Sequence, residues 1–444
     1  METKIKTQKK ESSLKAIIRS LKHRNFRLFF SGQSISLIGT WMQRIALGWL
    51  VYRLTNSPFL LGFVGFSGQI PTFFIAPFAG VLADRRNRHH ILLLTQTLAM
   101  LQAFALSFLV LSDLIRTWHV IALSVLLGVI NAFDMPTRQS FMVEMVEEKK
   151  DLSNAIALNS SMVNSARLLG PSAAGILIAA VGEGTCFLIN AISYLAVIVS
   201  LLLMKINRKD INLRKSKTWQ ELKEGFRYAS GFPPIRDVLL IFALVNLAGM
   251  PYTVLMPVFA KDVLHGGPSA LGFLMGSIGL GALGGAIYLA SRKSVLGLGK
   301  MIPIAMAIFG SGLMAFSISK FLFLSLVLML LTGMGQMIVM ASINTILQTI
   351  VDDDKRGRVM SFYTMAFMGA TPVGSIIGGS LASKIGAPET VLIGGLVCVI
   401  GALFFARRLP VLRELARPIY VKMGIIPEIA TGIQSATELS IHRK

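Results

Sequence analysis

Two cysteines in 444 residues, Cys186 and Cys398, sit inside apolar runs in opposite halves of the chain, which excludes a disulfide framework. No Cys/His cluster has the spacing of a zinc site, so neither a metal nor any other cofactor is expected. Charge is scarce too: Asp, Glu, Lys and Arg make up 15% of the chain, against roughly 25% in soluble domains. There is no glycine-rich phosphate loop and no Ser-His-Asp set. Those absences argue against an ATP-driven pump and leave a membrane enzyme or lipid-handling protein without catalytic machinery. A signalling sensor would need a sizeable soluble domain, and the loops are too short for one. No cleavable signal peptide is visible, because the first apolar run is too long for one and lacks a small-residue cleavage site.

What is present is apolar. The chain is 53% hydrophobic with a mean hydropathy of +0.65, so lipid is its expected solvent. Twelve apolar runs emerge, at 26–52, 59–83, 91–111, 120–141, 154–181, 186–204, 238–259, 270–291, 301–317, 321–343, 361–381 and 390–406. Each approaches or exceeds the ~20 residues that cross a ~30 Å hydrocarbon core.

A net charge of +22 invites a nucleic-acid reading, but its placement decides otherwise. Of the 44 Lys and Arg, 36 fall in the N-terminal stretch as far as Arg27, the even-numbered gaps and the C-terminal tail, and five fall on the other side: Arg53, Arg116, Lys261, Lys320 and Lys384. That asymmetry is the positive-inside rule, with both termini cytoplasmic. The excess of base reports topology, and no nucleic-acid partner is expected.

The longest polar interruption divides the spans six and six. The expected units are a basic arm (1–25), a first six-helix bundle (26–204), an amphipathic linker (205–237), a second bundle (238–408) and a basic tail (409–444). In the linker, Trp219, Leu222 and Phe226 form a helical stripe; Leu14, Ile17, Ile18 and Leu21 do the same in the arm. Both read as connectors lying on the lipid surface. The halves also repeat weakly: "VEEKKDLSNA" from Val146 answers "VDDDKRGRVM" from Val351, and "LLGPSAAG" around Pro171 answers "GATPVGSIIGG" around Pro372. Parallel repeats with a midplane site at their interface are one common transporter plan.

Between the second and third runs the chain reads "GVLADRRNR" from Gly80 to Arg88. This resembles the Gly-x-Leu-x-Asp-Arg-x-Gly-Arg loop of the major facilitator superfamily, and it falls where that family has it. With the six-plus-six layout and "GPSAAG" at Gly170–Gly175, the resemblance covers essentially the whole chain. "GTWMQRIALGWLVYRLTNSP" and "DMPTRQSF" look like the branch containing the enterobactin exporter and drug efflux proteins. The resemblance implies an all-α integral membrane protein of twelve transmembrane helices in two pseudo-symmetric bundles, in a bacterial cytoplasmic membrane and functional as a monomer. It also implies that Gly80, Asp84, Arg85 and Arg88 latch the halves together in an outward-open state. A purely topological role for the arginines stays open. Asn87 replaces the family's second glycine, and asparagine tolerates the left-handed backbone such a turn would use.

Ionisable residues inside spans are costly enough to suggest function. Arg167 lies near the middle of the fifth run, Arg44 in the outer half of the first, and Asp134 in the fourth with Arg138 at i+4. Asp134 is the one carboxylate well inside a span, hence the candidate proton carrier, unless it and Arg138 form a static pair. Arg167 is a candidate for binding an anionic group on the substrate. Gly170, Pro171 and Gly175 offer either a bending point or close helix packing. Candidate cavity residues are Gln33, Thr40, Gln43, Asn164, Asn246, Gln336 and Asn344. Thirteen of 22 methionines fall in the second bundle, where flexible thioethers suit varied greasy cargo or simply fill gaps. The expected function is secondary, proton-coupled export of an amphiphilic small molecule (siderophore, drug or metabolite). An importer or uniporter of small nutrients is the alternative.

Overall fold

The computed structural model describes residues 18–205, 218–292 and 294–425, and among them regular structure is helical throughout. The first half comprises α1 (Arg24–Thr55), α2 (Pro58–Arg85), α3 (Arg88–Leu111), α4 (Thr117–Met145) and α5 (Leu152–Leu202). A linker helix α6 (Thr218–Gly231) leads to α7 (Pro233–Val263), α8 (Gly267–Ala290), α9 (Leu298–Ile318), α10 (Leu322–Ile350), α11 (Asp353–Ile385) and α12 (Ala387–Lys422). Ten of the described helices are long and apolar enough to cross a membrane. The 51-residue α5 is long enough to cross twice, and it turns back at Gly182, whose φ of 79° is the only non-helical backbone inside it. With α1, which carries Arg27, Arg44 and Arg53 and is less apolar for it, the crossings number twelve.

Local chemistry sets the turns. α1 ends on Asn56 in the left-handed region, and Ser57 then caps α2 by accepting from the Leu60 amide at 3.3 Å, with Pro58 at the first helical position. At the motif turn the structure corrects the expectation for Asn87. Its φ is −66°, and its side chain accepts from the His89 amide at 3.0 Å. The residue acts as the N-cap of α3, so the position needs a short acceptor and no left-handed backbone.

α12 continues to Lys422, with Leu412 and Ala416 on its buried stripe. The linker is helical from Thr218, with Phe226 exposed. In the N-terminal arm Ile18 is exposed and Leu21 packs on the bundle. Leu14, Ile17 and the side chains of Trp219 and Leu222 lie outside the described residues.

Within the first half α1 packs on α5 and α2 on α4; within the second, α8 packs on α10 and α9 on both α10 and α12. The halves meet along two crossings, α2 with α11 and α5 with α8. Both are glycine-on-glycine. A Cβ on Gly379 would lie 2.8 Å from the Gly62 Cα, and one on Gly272 would lie 2.6 Å from the Gly175 Cα. Only bare backbone permits that approach. Gly62 and Gly272, like Gly175 and Gly379, stand about two hundred residues apart, the offset of the sequence repeat.

Both crossings lie toward the end of the bundle opposite the one bearing the termini. That end is sealed further by the Tyr52 hydroxyl, which donates to the Asp262 carboxylate, and by Lys261, which donates to Asn56 at 2.6 Å. At the termini-bearing, basic end, α4 and α10 share no packed face. Among the described residues the halves are held together at the far end, and α4 and α10 stay apart at the basic one.

Candidate functional site

The α5–α8 crossing descends from Gly175 against Gly272, through Ser172 against Gly276, to Leu168 against Gly279. Arg167 follows at its lower end, next to the Leu168–Gly279 contact. There it lies 5.7 Å from the ring centre of Trp41, while Arg44, one turn along α1 from that tryptophan, lies 4.7 Å from the same ring. Both distances fall within the ~6 Å reach of a cation–π interaction. Among the described residues neither arginine is ion-paired. Arg167 and Arg138 are both close enough for their charges to act on Arg44.

Asp134 is buried, and its carboxylate is fully engaged. Gln96 donates to it at 2.7 Å, Thr95 at 3.1 Å, and Arg138 pairs with its other oxygen at 3.3 Å. Charge-assisted hydrogen bonds of this kind fix the carboxylate in place between α3 and α4. The first half therefore carries two arginines at Trp41 and a third, Arg138, paired with Asp134.

Among the described residues, no acid of the facing half is ion-paired with Arg44 or Arg167. Tyr252 on α7 is near enough to feel the charge of Arg167, and its hydroxyl donates to Gln336 on α10 at 3.0 Å. The Gln336 amide in turn points at the Met250 sulfur, 2.8 Å away. The described acids of the second half near its ends are engaged there. Asp237 pairs with Arg236 and Arg408, and Asp262 accepts from Tyr52.

The other polar candidates separate by burial. Thr40 is half-buried and bonded to the Ser36 carbonyl at 2.9 Å; Asn164 is half-buried and bonded to the Ser160 carbonyl at 2.9 Å. Asn344 is half-buried and accepts from Gln348 at 2.7 Å. Gln33 is buried with its Oε1 unpartnered. Gln43 is not on the cavity wall: it is buried in the bundle, accepting from Asn190 at 2.6 Å and donating to Gln102 at 3.1 Å, a chain joining α1, α3 and α5. Asn246 is likewise buried, bonded to the Phe242 carbonyl at 2.7 Å and to Thr371. One-sided sequence stripes cannot tell these apart, because a six-helix bundle offers a polar residue two interiors.

Gly170 and Gly175 prove to be contact points. A Cβ on Gly170 would meet Trp41, and the backbone stays helical through Pro171. In the motif loop, a Cβ on Gly80 would meet nothing within 4 Å. Arg85 is exposed, and Arg88 pairs with Glu144 at the end of α4, a partner not singled out from the sequence. The Asp84 side chain lies outside the described residues.

Outside the cavity, the basic end carries a second charge cluster. Asp151, with no exposed side-chain surface, pairs with Arg19 at 2.6 Å, Lys22 at 2.8 Å and His23 at 3.0 Å, tying the start of α1 to the start of α5. Lys22 above all, helped by His23 and Arg19, outweighs burial and holds the Asp151 carboxyl down to about 2. Lys150 and Lys22 do the same for Glu148. His23, Glu148 and Asp151 bring ligand atoms within 4.8 Å of one another, but the carboxylates are already taken by these cations. A cavity of 610 Å³ also opens at the basic end of the second half, between Val238, Ile346, Phe405, Lys300, Arg413 and Arg417, well away from the central arginines.

Comparison with known proteins agrees with this architecture. The family described as transmembrane secretion effectors, within the major facilitator superfamily, matches residues 16–423. The chain is 25% identical over 386 residues to the staphyloferrin A transporter of Staphylococcus aureus, covering 86% of this chain and 96% of that protein. It is 24% identical over 386 residues to the multidrug efflux pump Tap of Mycolicibacterium fortuitum, covering 85% and 93%. Among solved structures, a bacterial homologue of the human lysosomal transporter Spinster, in an inward-facing and unoccupied conformation, superposes with a TM-score of 0.68 over 90% of this chain and 98% of that one, at 13% identity.

Proposed function

The chain belongs to the transmembrane secretion effector family of major facilitator transporters, and from that premise we propose that it exports an amphiphilic small molecule in exchange for protons. It is an integral membrane transporter of small molecules, not an enzyme. The basic end faces the cytoplasm of a bacterial inner membrane, with both termini inside, because Lys and Arg crowd that end. What supports the export reading is the cluster of Arg44, Arg167 and Trp41 in the first half, with Tyr252, Gln336 and methionine in the second, in a molecule whose halves pack together at the far end. Relatives named as a siderophore transporter and a drug efflux pump support it.

Cargo enters from the cytoplasm and settles at that cluster. The halves then rock about the two glycine crossings, the far end parts, and the Gly80–Arg88 loop closes against the other half. Asp134 carries the proton. In the inward-open state Thr95, Gln96 and Arg138 are its partners. When rocking draws Arg138 away, burial favours the neutral acid, which takes a proton from outside and surrenders it when the pair re-forms.

The test uses everted membrane vesicles with an acid interior and an internal pH dye. Siderophores, macrolides and lipophilic cations are added in turn to native protein and to Asp134→Asn. The expected result is cargo-triggered proton release by native protein alone. Equal release by both would dismiss Asp134 as carrier; neither proton release nor cargo accumulation with any class would overturn the export reading.

A further inference from the structure

The central charges do not balance. Arg44 and Arg167 share the Trp41 ring, and Asp134, the buried acid of the first half's spans, is already matched to Arg138. Two guanidinium groups remain without a carboxylate. The described acids of the facing half lie at the ends of the bundle, where Asp237 is held by Arg236 and Arg408 and Asp262 by Tyr52. No rocking of the halves brings them to Trp41, because each is anchored to its own end of the molecule.

In the open state this imbalance costs less at Arg44, whose side chain is exposed. Alternating access must pass through a state closed at both ends, and closure expels water. An unpaired ion in a dry interior is penalised by several kcal/mol even after relaxation. Two together, sharing one indole and repelling each other, are worse. The penalty disappears only if the counter-charge arrives with the cargo. Guanidinium forks select carboxylate for that role, because two parallel N–H groups match its two oxygens. Here the stacking on Trp41 fixes both guanidiniums while leaving their donors unspent.

We propose that the cargo is a dianion carrying two carboxylate groups, one for Arg44 and one for Arg167, and that its two charges license closure of the cavity. This deepens the export reading and rests on it only in calling the ligand cargo. The apolar remainder of the molecule lies toward Tyr252, Gln336 and Met250. Cargo of lower charge leaves a guanidinium bare and is carried slowly, so the pair acts as a charge counter as well as a binding site.

The test reads Trp41 directly. Trp49, Trp118 and Trp219 are replaced by Phe, and the purified full-length protein is titrated at low ionic strength with iodide, with caesium and with neutral acrylamide as fluorescence quenchers. Iodide is expected to quench several-fold more effectively than caesium, with the excess reduced in Arg44→Gln and in Arg167→Gln and kept in Arg44→Lys and Arg167→Lys. Straight-chain dicarboxylates from succinate to sebacate are then compared with their monomethyl esters as protectants against iodide. At least one diacid is expected to protect at a concentration tenfold or more below that of its monoester, a preference lost in both Gln variants.

Equal quenching by iodide and caesium would overturn the anion site. Protection by every monoester equal to that of its diacid would overturn the dianion. Should a Gln variant fail to fold, the diacid–monoester comparison in native protein decides alone. The vesicle assay separates this proposal from the one beneath it: a protecting diacid that is never transported would sink the export reading and leave the site standing.

Discussion

Replacing Gly272 by alanine should tip the molecule toward the state closed at its basic end. The added Cβ would sit 2.6 Å from the Gly175 Cα, 2.9 Å from the Pro171 carbonyl oxygen and 3.0 Å from the Gly175 nitrogen. All three are backbone atoms, so no side-chain rotation relieves the clash, and restoring ordinary contact at 3.4 Å or more requires α5 and α8 to part. Overpacking of this kind costs ~1–3 kcal/mol. The cost falls on the conformer in which the crossing is closed, because rocking opens it in the other. The ratio of far-end-open to far-end-closed molecules should therefore rise by about 5-fold to about 160-fold.

Spin labels at Leu114→Cys, in the α3–α4 turn, and Lys320→Cys, in the α9–α10 turn, report across the far end, where both positions are exposed. The native Cys186 and Cys398 are buried and can be removed. Distances between the labels should lengthen in Gly272→Ala. In Gly284→Ala, on the same helix, nothing lies within 4 Å of the new Cβ, and the distribution should match that of the parent. Identical distributions in all three proteins would refute the claim that the glycine crossing sets the conformational balance.

Two further outcomes follow from polar contacts away from the cavity. Asp151 is held at about 2, chiefly by Lys22; a depressed carboxyl stabilises the folded state above its unfolded value of ~3.9 and loses that contribution as pH falls toward the folded one. The detergent-solubilised protein should therefore lose stability between about pH 4 and pH 2, and Asp151→Asn should flatten that part of the curve; superimposable curves would show that the cluster contributes nothing. Asn190→Ala leaves the buried Gln43 acceptor without its 2.6 Å donor, which should cost ~1–3 kcal/mol and lower the thermal midpoint. Adding Gln43→Leu should recover part of the loss, and an unchanged midpoint in the single variant would contradict the buried-chain reading.

Much of this protein is legible without coordinates because the membrane imposes local rules. Each crossing must satisfy its backbone within its own helix and present apolar side chains along its length. The crossings, their six-and-six division and the basic end can thus be read residue by residue. Arg44, Asp134 and Arg167 stand out for the same reason, since charge inside a span is rare and costly. The turn at Asn87 was legible only in part. Its residue type was noticed, but the left-handed backbone expected of it gave way to a cap, because an exposed helix start needs an acceptor for its first amides.

Composition and pattern alone determined that the chain crosses a membrane twelve times, which end gathers the base, and which few charges must be accounted for. Only the tertiary structure decided how those charges are shared. Helix rotation turned Gln43 inward to Asn190 and Gln102, gave Asp134 three donors, and placed Trp41 between two arginines that no acid reaches. The reason is geometric. Hydropathy depends on each residue and its near neighbours, whereas pairing depends on the azimuth of six helices at once, and a turn of one helix by a few tens of degrees exchanges a cavity wall for a bundle interior.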